Sequence, residues 1–227
     1  MRAIITRLAL AALATGVCVG SAALPEPAAI VESARGTTPP LNALDYLSPG
    51  QSVELGQTGT LVIDYLRSCA RESIEHGTVK IGQEESSVWG GQLVRTRFDC
   101  DRGGRPAEPG AEASSGAPGF TPPSKPEGQP HEAGIARTIY GTSPLFDMGG
   151  PGELTIEPID PHGSALKLDV SAKELLRGRF YDFSWAGKTL AAGGVYRATA
   201  HGHSVVFWVD PLAHAGAGPP GGRLVRL

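Results

Sequence analysis

The sequence predicts an all-β fold, and three observations carry that reading. Apolar and polar residues alternate along short runs: Val53 and Leu55, then Leu61, Ile63 and Tyr65, then Val79 and Ile81. A period of two marks a strand with one buried face. Between the runs stand Pro49-Gly50, Gly56, Gly59, Gly77, Gly82 and Gly90-Gly91, residues suited to turns. Near the C-terminus, Val195–Ala200 and His203–Val209 are rich in branched and aromatic residues and flank His201-Gly202, which predicts a hairpin.

The N-terminus sets the compartment. Arg2 and Arg7 precede an uncharged apolar run, Leu8–Gly20, and then the small residues Ser21-Ala22-Ala23. That is the layout of a secretory signal, and its apolar run falls short of the ~20 residues a spanning helix needs. Residues 1–23 are expected to be removed, leaving no membrane span and a periplasmic or secreted chain. Cys18 leaves with them. A lipid anchor there is disfavoured, because bulky Val17 stands where a small residue is needed.

Cys69 and Cys100 then remain, and in an oxidising compartment two cysteines read as one disulfide. Closing a loop of about thirty residues adds roughly 3–4 kcal/mol in the chain-entropy view. A redox pair is the poorer reading, because no Cys-x-x-Cys motif occurs. Without Arg2 and Arg7 the chain has 18 basic and 23 acidic side chains, a net charge of −5. The charges are scattered and form no basic patch, which argues against a nucleic-acid partner.

Residues 103–134 are dense in Pro and Gly, with Phe120 as their one aromatic. Such a stretch buries too little apolar surface to offset ~1–2 kcal/mol of ordering entropy per residue, so it reads as a disordered linker. Residues 24–42 read similarly as a flexible leader. Two modules are thus expected, 43–102 and 135–227.

In the first module, Leu47-Ser48-Pro49-Gly50 is followed by Val53-Glu54-Leu55-Gly56 and Gly59-Thr60-Leu61-Val62-Ile63. Glu72-Ser73-Ile74 and Gly77-Thr78-Val79-Lys80-Ile81 complete the series. This order of strands and turns, over about 47–81, resembles the FecR-type periplasmic domain. The resemblance implies a small β fold used in envelope sensing or assembly. Arg67-Ser68-Cys69-Ala70-Arg71 replaces the Asp-Gly turn usual in that family.

In the second module, Leu154–Glu157 and Ala165–Val170 read as strands, and Ser171 to Glu174 has capping-box spacing that predicts one helical turn before Gly178. Tyr181 and Trp208 are core candidates, and Gly221–Leu227 offers a final edge strand. Leu190 and Gly193 stand six and three residues before Tyr196, the spacing of a tyrosine corner. The stretch of about 150–227 resembles an immunoglobulin or fibronectin type III-like β-sandwich. The resemblance implies a binding scaffold and names no ligand.

Chemistry is sparse. His201 and His203 are the one close histidine pair, and on a shared strand they would face one side and seat a metal, with Asp160, His162 and Asp210 as further donors. A polar hairpin tip is the simpler reading. No Gly-x-Ser-x-Gly occurs, and Gly187-Lys188-Thr189 lacks a phosphate loop before it. Glu84 and Glu85, as neighbours, would face opposite sides of a strand. Trp89, in a turn context, is a candidate partner anchor, although packing over the disulfide is the simpler expectation. The expected function is therefore non-enzymatic and cofactor-free: interaction with an unidentified envelope protein. The alternative is metal or small-ligand binding at His201 and His203.

Overall fold

The computed structural model describes residues 26–101, 134–159, 163–216 and 218–227. Residues 1–23, read as a signal, most of the stretch read as a linker, 103–133, and Asp160 and His162 lie outside the described residues. The fold is all-β: strands take 56% and helix 2% of the described residues.

The first sheet is built from β1 (Ala29–Thr38), β2 (Tyr46–Leu47), β3 (Ser52–Tyr65), β4 (Ala70–Ile81), β5 (Ser86–Trp89) and β6 (Gln92–Arg97). Its order is β2-β1-β3-β4, with β5 and β6 both pairing the outer edge of β4, all antiparallel. The short runs of the sequence are halves of long strands. Several glycines expected at turns lie inside strands instead, because they serve as bulges rather than chain reversals.

His76 and Gly77 take left-handed backbone in the middle of β4 (φ 47° and 85°), opposite Gly90-Gly91. A Cβ on Gly91 would stand 2.2 Å from the His76 carbonyl oxygen, and one on Gly77 would stand 2.4 Å from that of Trp89. Only glycine allows this approach. The bulge also resets the side-chain phase: Glu72 and Ile74 point inward before it, Val79 and Ile81 after it. A parallel irregularity separates Leu55 from Thr60 in β3. Both halves of the bent strands therefore feed one core, where Val53 and Leu55 join Leu61, Ile63, Tyr65, Ile74, Val79 and Ile81. The sheet curls over its own inner face.

Residues 24–42 are not a flexible leader across their length. Residues 29–38 form β1, hydrogen-bonded between β2 and β3. Ala28 through Val31 are buried without alternation because this part of the sheet is covered on both faces. Ala29 and Val31 face the inner core, whereas Ile30 faces the C-terminal half.

That half contains β7 (Arg137–Gly141), β8 (Leu145–Asp147), β9 (Gly152–Pro158), β10 (Leu166–Val170), β11 (Phe180–Asp182), β12 (Val195–Ala200), β13 (His203–His214), α1 (Pro220–Arg223) and β14 (Leu224–Arg226). One sheet has the order β10-β9-β12-β13-β7 and the other β11-β8-β14. The predicted hairpin is present as β12 and β13, with His201-Gly202 in the left-handed turn. Trp208 and Tyr181 are buried, and β14 lies at a sheet edge.

The three-stranded sheet is a middle layer. Phe146, Tyr181 and Val225 face the five-stranded sheet, while their neighbours Leu145, Phe180 and Leu224 join Ile30, Leu44 and Leu66 of the N-terminal half. The two halves are thus packed together, not held as separate modules. Polar contacts reinforce the joint. The Tyr46 hydroxyl donates to Asp147 at 2.8 Å, Arg179 grips the same carboxylate with two bonds at 2.8 Å, and Arg177 donates to Asp45.

The expected helical turn after Ser171 does not form; the segment makes successive turns. Its capping-box residues still bond, because the Ser171 N–H and hydroxyl both donate to the Glu174 carboxylate, at 2.9 and 2.6 Å. Those bonds hold the exposed Glu174 carboxyl below its ordinary range.

Candidate interaction surface

The edge formed by β5 and β6 has no further strand beside it among the described residues. On it the Gly90-Gly91 bulge sorts the side chains. Val88 and Leu93 pack toward the core, while Trp89 and Val94 are 56% and 60% exposed. Trp89 does not cover the disulfide. It pairs with Thr78, whereas Cys69 and Cys100 lie beyond the opposite end of the β4–β6 ladder, where Ala70 pairs with Arg97. The reach of β4 sets that distance, which sequence proximity cannot show. Unpaired backbone groups beside two exposed apolar side chains are the chemistry of strand addition.

A polar clasp built on buried Glu72 and half-exposed Arg95 stiffens this edge from behind. Glu72, fully buried on β4, accepts from the Ser86 N–H at 3.0 Å and from Arg95 Nε at 2.6 Å. Arg95 also donates to the Ser86 carbonyl at 2.7 Å, and the Ser86 hydroxyl shares a 2.8 Å bond with the Tyr65 hydroxyl. Burial pushes the Tyr65 phenol up to about 12. The bonds between Glu72 and Ser86 cross the inner face of the curled sheet, tying the start of β4 to the start of β5. Sequence reading missed Glu72, Arg95 and Val94. The available signal was the phase change between Ile74 and Val79.

Cys69 and Cys100 form the disulfide. Around Tyr196, the phenolic oxygen accepts the Ala191 N–H at 3.0 Å, five residues back in the chain. Gly193 takes left-handed backbone (φ 77°) and its carbonyl accepts the Trp208 indole N–H at 3.2 Å, while Leu190 packs against the core. These residues form one corner that anchors the entry to β12.

His201 and His203 do not share a strand. His201 sits in the left-handed turn with Nε2 3.3 Å from the Gly150 carbonyl oxygen, and His203 begins β13, exposed. Asp210 accepts the Leu212 N–H at 2.7 Å. No group of three or more metal-capable side chains occurs among the described residues.

A cleft of about 290 Å³ lies between the halves, lined by Phe98 and Asp99 on one side and by Tyr140, His214 and Arg223 on the other. Arg223 is committed to structure there. It is buried and forms a two-bond pair with Asp182 at 2.7 and 2.8 Å. Asp182 is held below the ordinary carboxyl range, its burial outweighed by Arg223 and by bonds from Ser184. No helix among the described residues is long and apolar enough to cross a membrane. No protein-family model, curated protein or solved structure matches the chain.

Proposed function

We propose that this is an exported, non-enzymatic envelope protein that acts by protein–protein interaction through the β5–β6 edge. The carrying observation is a sheet edge with no further strand beside it among the described residues, together with exposed Trp89 and Val94, which flank the Gly90-Gly91 bulge on that edge. The partner contributes an extended segment that continues the sheet, with an apolar side chain packing on Trp89. Main-chain bonds supply affinity in this mode and the side-chain contacts supply selectivity. The Cys69–Cys100 bond is compatible with an oxidising compartment outside the cytoplasm.

The test is crosslinked capture from native envelope with three baits: the unaltered chain, Trp89→Ala and Val94→Lys. One stoichiometric partner should bind the unaltered chain and be reduced at least tenfold by either substitution. Surface substitutions of this kind are expected to change stability by no more than about 0.5 kcal/mol, which thermal unfolding checks. Equal capture by all three baits sinks the proposal. A His201→Ala, His203→Ala chain should capture normally; loss of a bound metal from it would favour the ligand-binding alternative.

A further inference from the structure

The joint between the halves contains a carboxylate that its surroundings do not fully satisfy. Asp64, next to last in β3, is fully buried and points away from the inner core toward α1. Oδ2 accepts the Gly221 N–H at 3.2 Å, while Oδ1 has no hydrogen-bond partner. The corner is tight, since a Cβ on Gly221 would come within 2.6 Å of the Phe98 ring and 3.1 Å of the Asp64 Cβ.

The charged groups around it do not neutralise it. From β1 comes Glu32, one of whose oxygens is also buried without a partner. From β4 comes Arg71, whose guanidinium is bonded to Glu32. From α1 comes only the Gly221 backbone, and Arg137 of β7 donates to the Gly221 carbonyl at 3.1 Å, not to Asp64. Isolated carboxylates in such places take up a proton rather than remain charged.

We propose that Asp64 is a proton-operated latch on the joint: protonated, it holds the α1 corner against β3, and ionised, it weakens that contact. The device is separate from the β5–β6 edge and rests on none of the partner-binding argument. Burial is the main cause of a carboxyl pushed up to about 6; the Gly221 N–H opposes it, Glu32 adds to it and Arg71 opposes it. When the joint opens, the carboxyl is hydrated and returns to its ordinary value of ~3.9. The closed form therefore keeps its proton longer. Closure is tightest below about pH 4, weakens as pH rises to about 6 and levels off above. A gap of about two pH units corresponds to a roughly hundredfold change in the closing equilibrium.

The measurement is hydrogen exchange of the 218–227 backbone amides in the purified full chain from pH 4 to 8, corrected for intrinsic exchange. Protection should fall roughly thirtyfold from pH 4 to 6 and level off above pH 7. Asp64→Asn should flatten that profile. Glu32→Gln should move the midpoint to lower pH, because it removes a like charge and frees Arg71 toward Asp64. A flat profile in the unaltered chain, or an unchanged profile in either variant, overturns the latch. If Asp64→Asn does not fold, the unaltered chain and Glu32→Gln still decide.

Discussion

The two inner cores are built from different materials. The curled N-terminal sheet encloses aliphatic residues with Tyr65 as the one aromatic in its buried cluster, and it buries the charge of Glu72 behind the β5–β6 edge. The C-terminal core instead interlocks Phe146, Tyr181, Phe183, Tyr196 and Phe207. Phe146 and Phe183 meet edge to face at 5.1 Å, and Tyr196 stacks on Phe207 at 5.8 Å. Aromatic pairs add about 0.5–1.5 kcal/mol beyond the area they bury. A sheet closed over small aliphatic side chains lacks that contribution. Its curl is held by a disulfide at one end and a charged clasp across the inner face. The N-terminal half should therefore be sensitive to redox and to charge, and the C-terminal half to lost volume.

Four variants test that contrast, and equilibrium denaturation reads each. Phe207→Ala should cost about 4 kcal/mol, since it empties a fully buried site against two rings. Cys69→Ala with Cys100→Ala should cost about 3 kcal/mol, and reduction of the unaltered chain should produce the same loss. Arg95→Ala should cost about 2 kcal/mol by leaving Glu72 buried with a single backbone donor group, Ser86. A neutral result there would show that the clasp is incidental to the curl. Tyr196→Phe keeps the ring stack and removes one acceptor, so about 1 kcal/mol is expected, with the C-terminal half alone affected.

Where the structure agrees with the sequence reading, the information is local. His201-Gly202 specifies a reversal within two residues, and β12 and β13 pair around it. Leu190, Gly193 and Tyr196 lie close together in the chain, and the Tyr196 oxygen accepts the Ala191 N–H within that short span. Where it differs, the deciding partner is distant in the chain. Ala28 to Val31 look like leader because small residues buried on both faces lose the alternation that marks a strand. Glycines inside β3 and β4 look like chain ends because a bulge and a turn ask for the same residue. Trp89 stays exposed because β4 carries it away from the disulfide, and the exposure of Val94 follows from the phase reset.

By itself the sequence determined the all-β class, the disulfide and the C-terminal hairpin, because backbone period and turn chemistry act over a few residues. Tertiary structure alone decided that the halves join through a shared apolar layer, that Glu72 and Arg95 close the curled sheet, and that β5 and β6 form an edge with no further strand beside it among the described residues. It also decided the state of Asp64. That carboxyl meets the Gly221 N–H 157 residues away. Burial and charge balance are properties of a place in space, and only the folded chain brings that place into being.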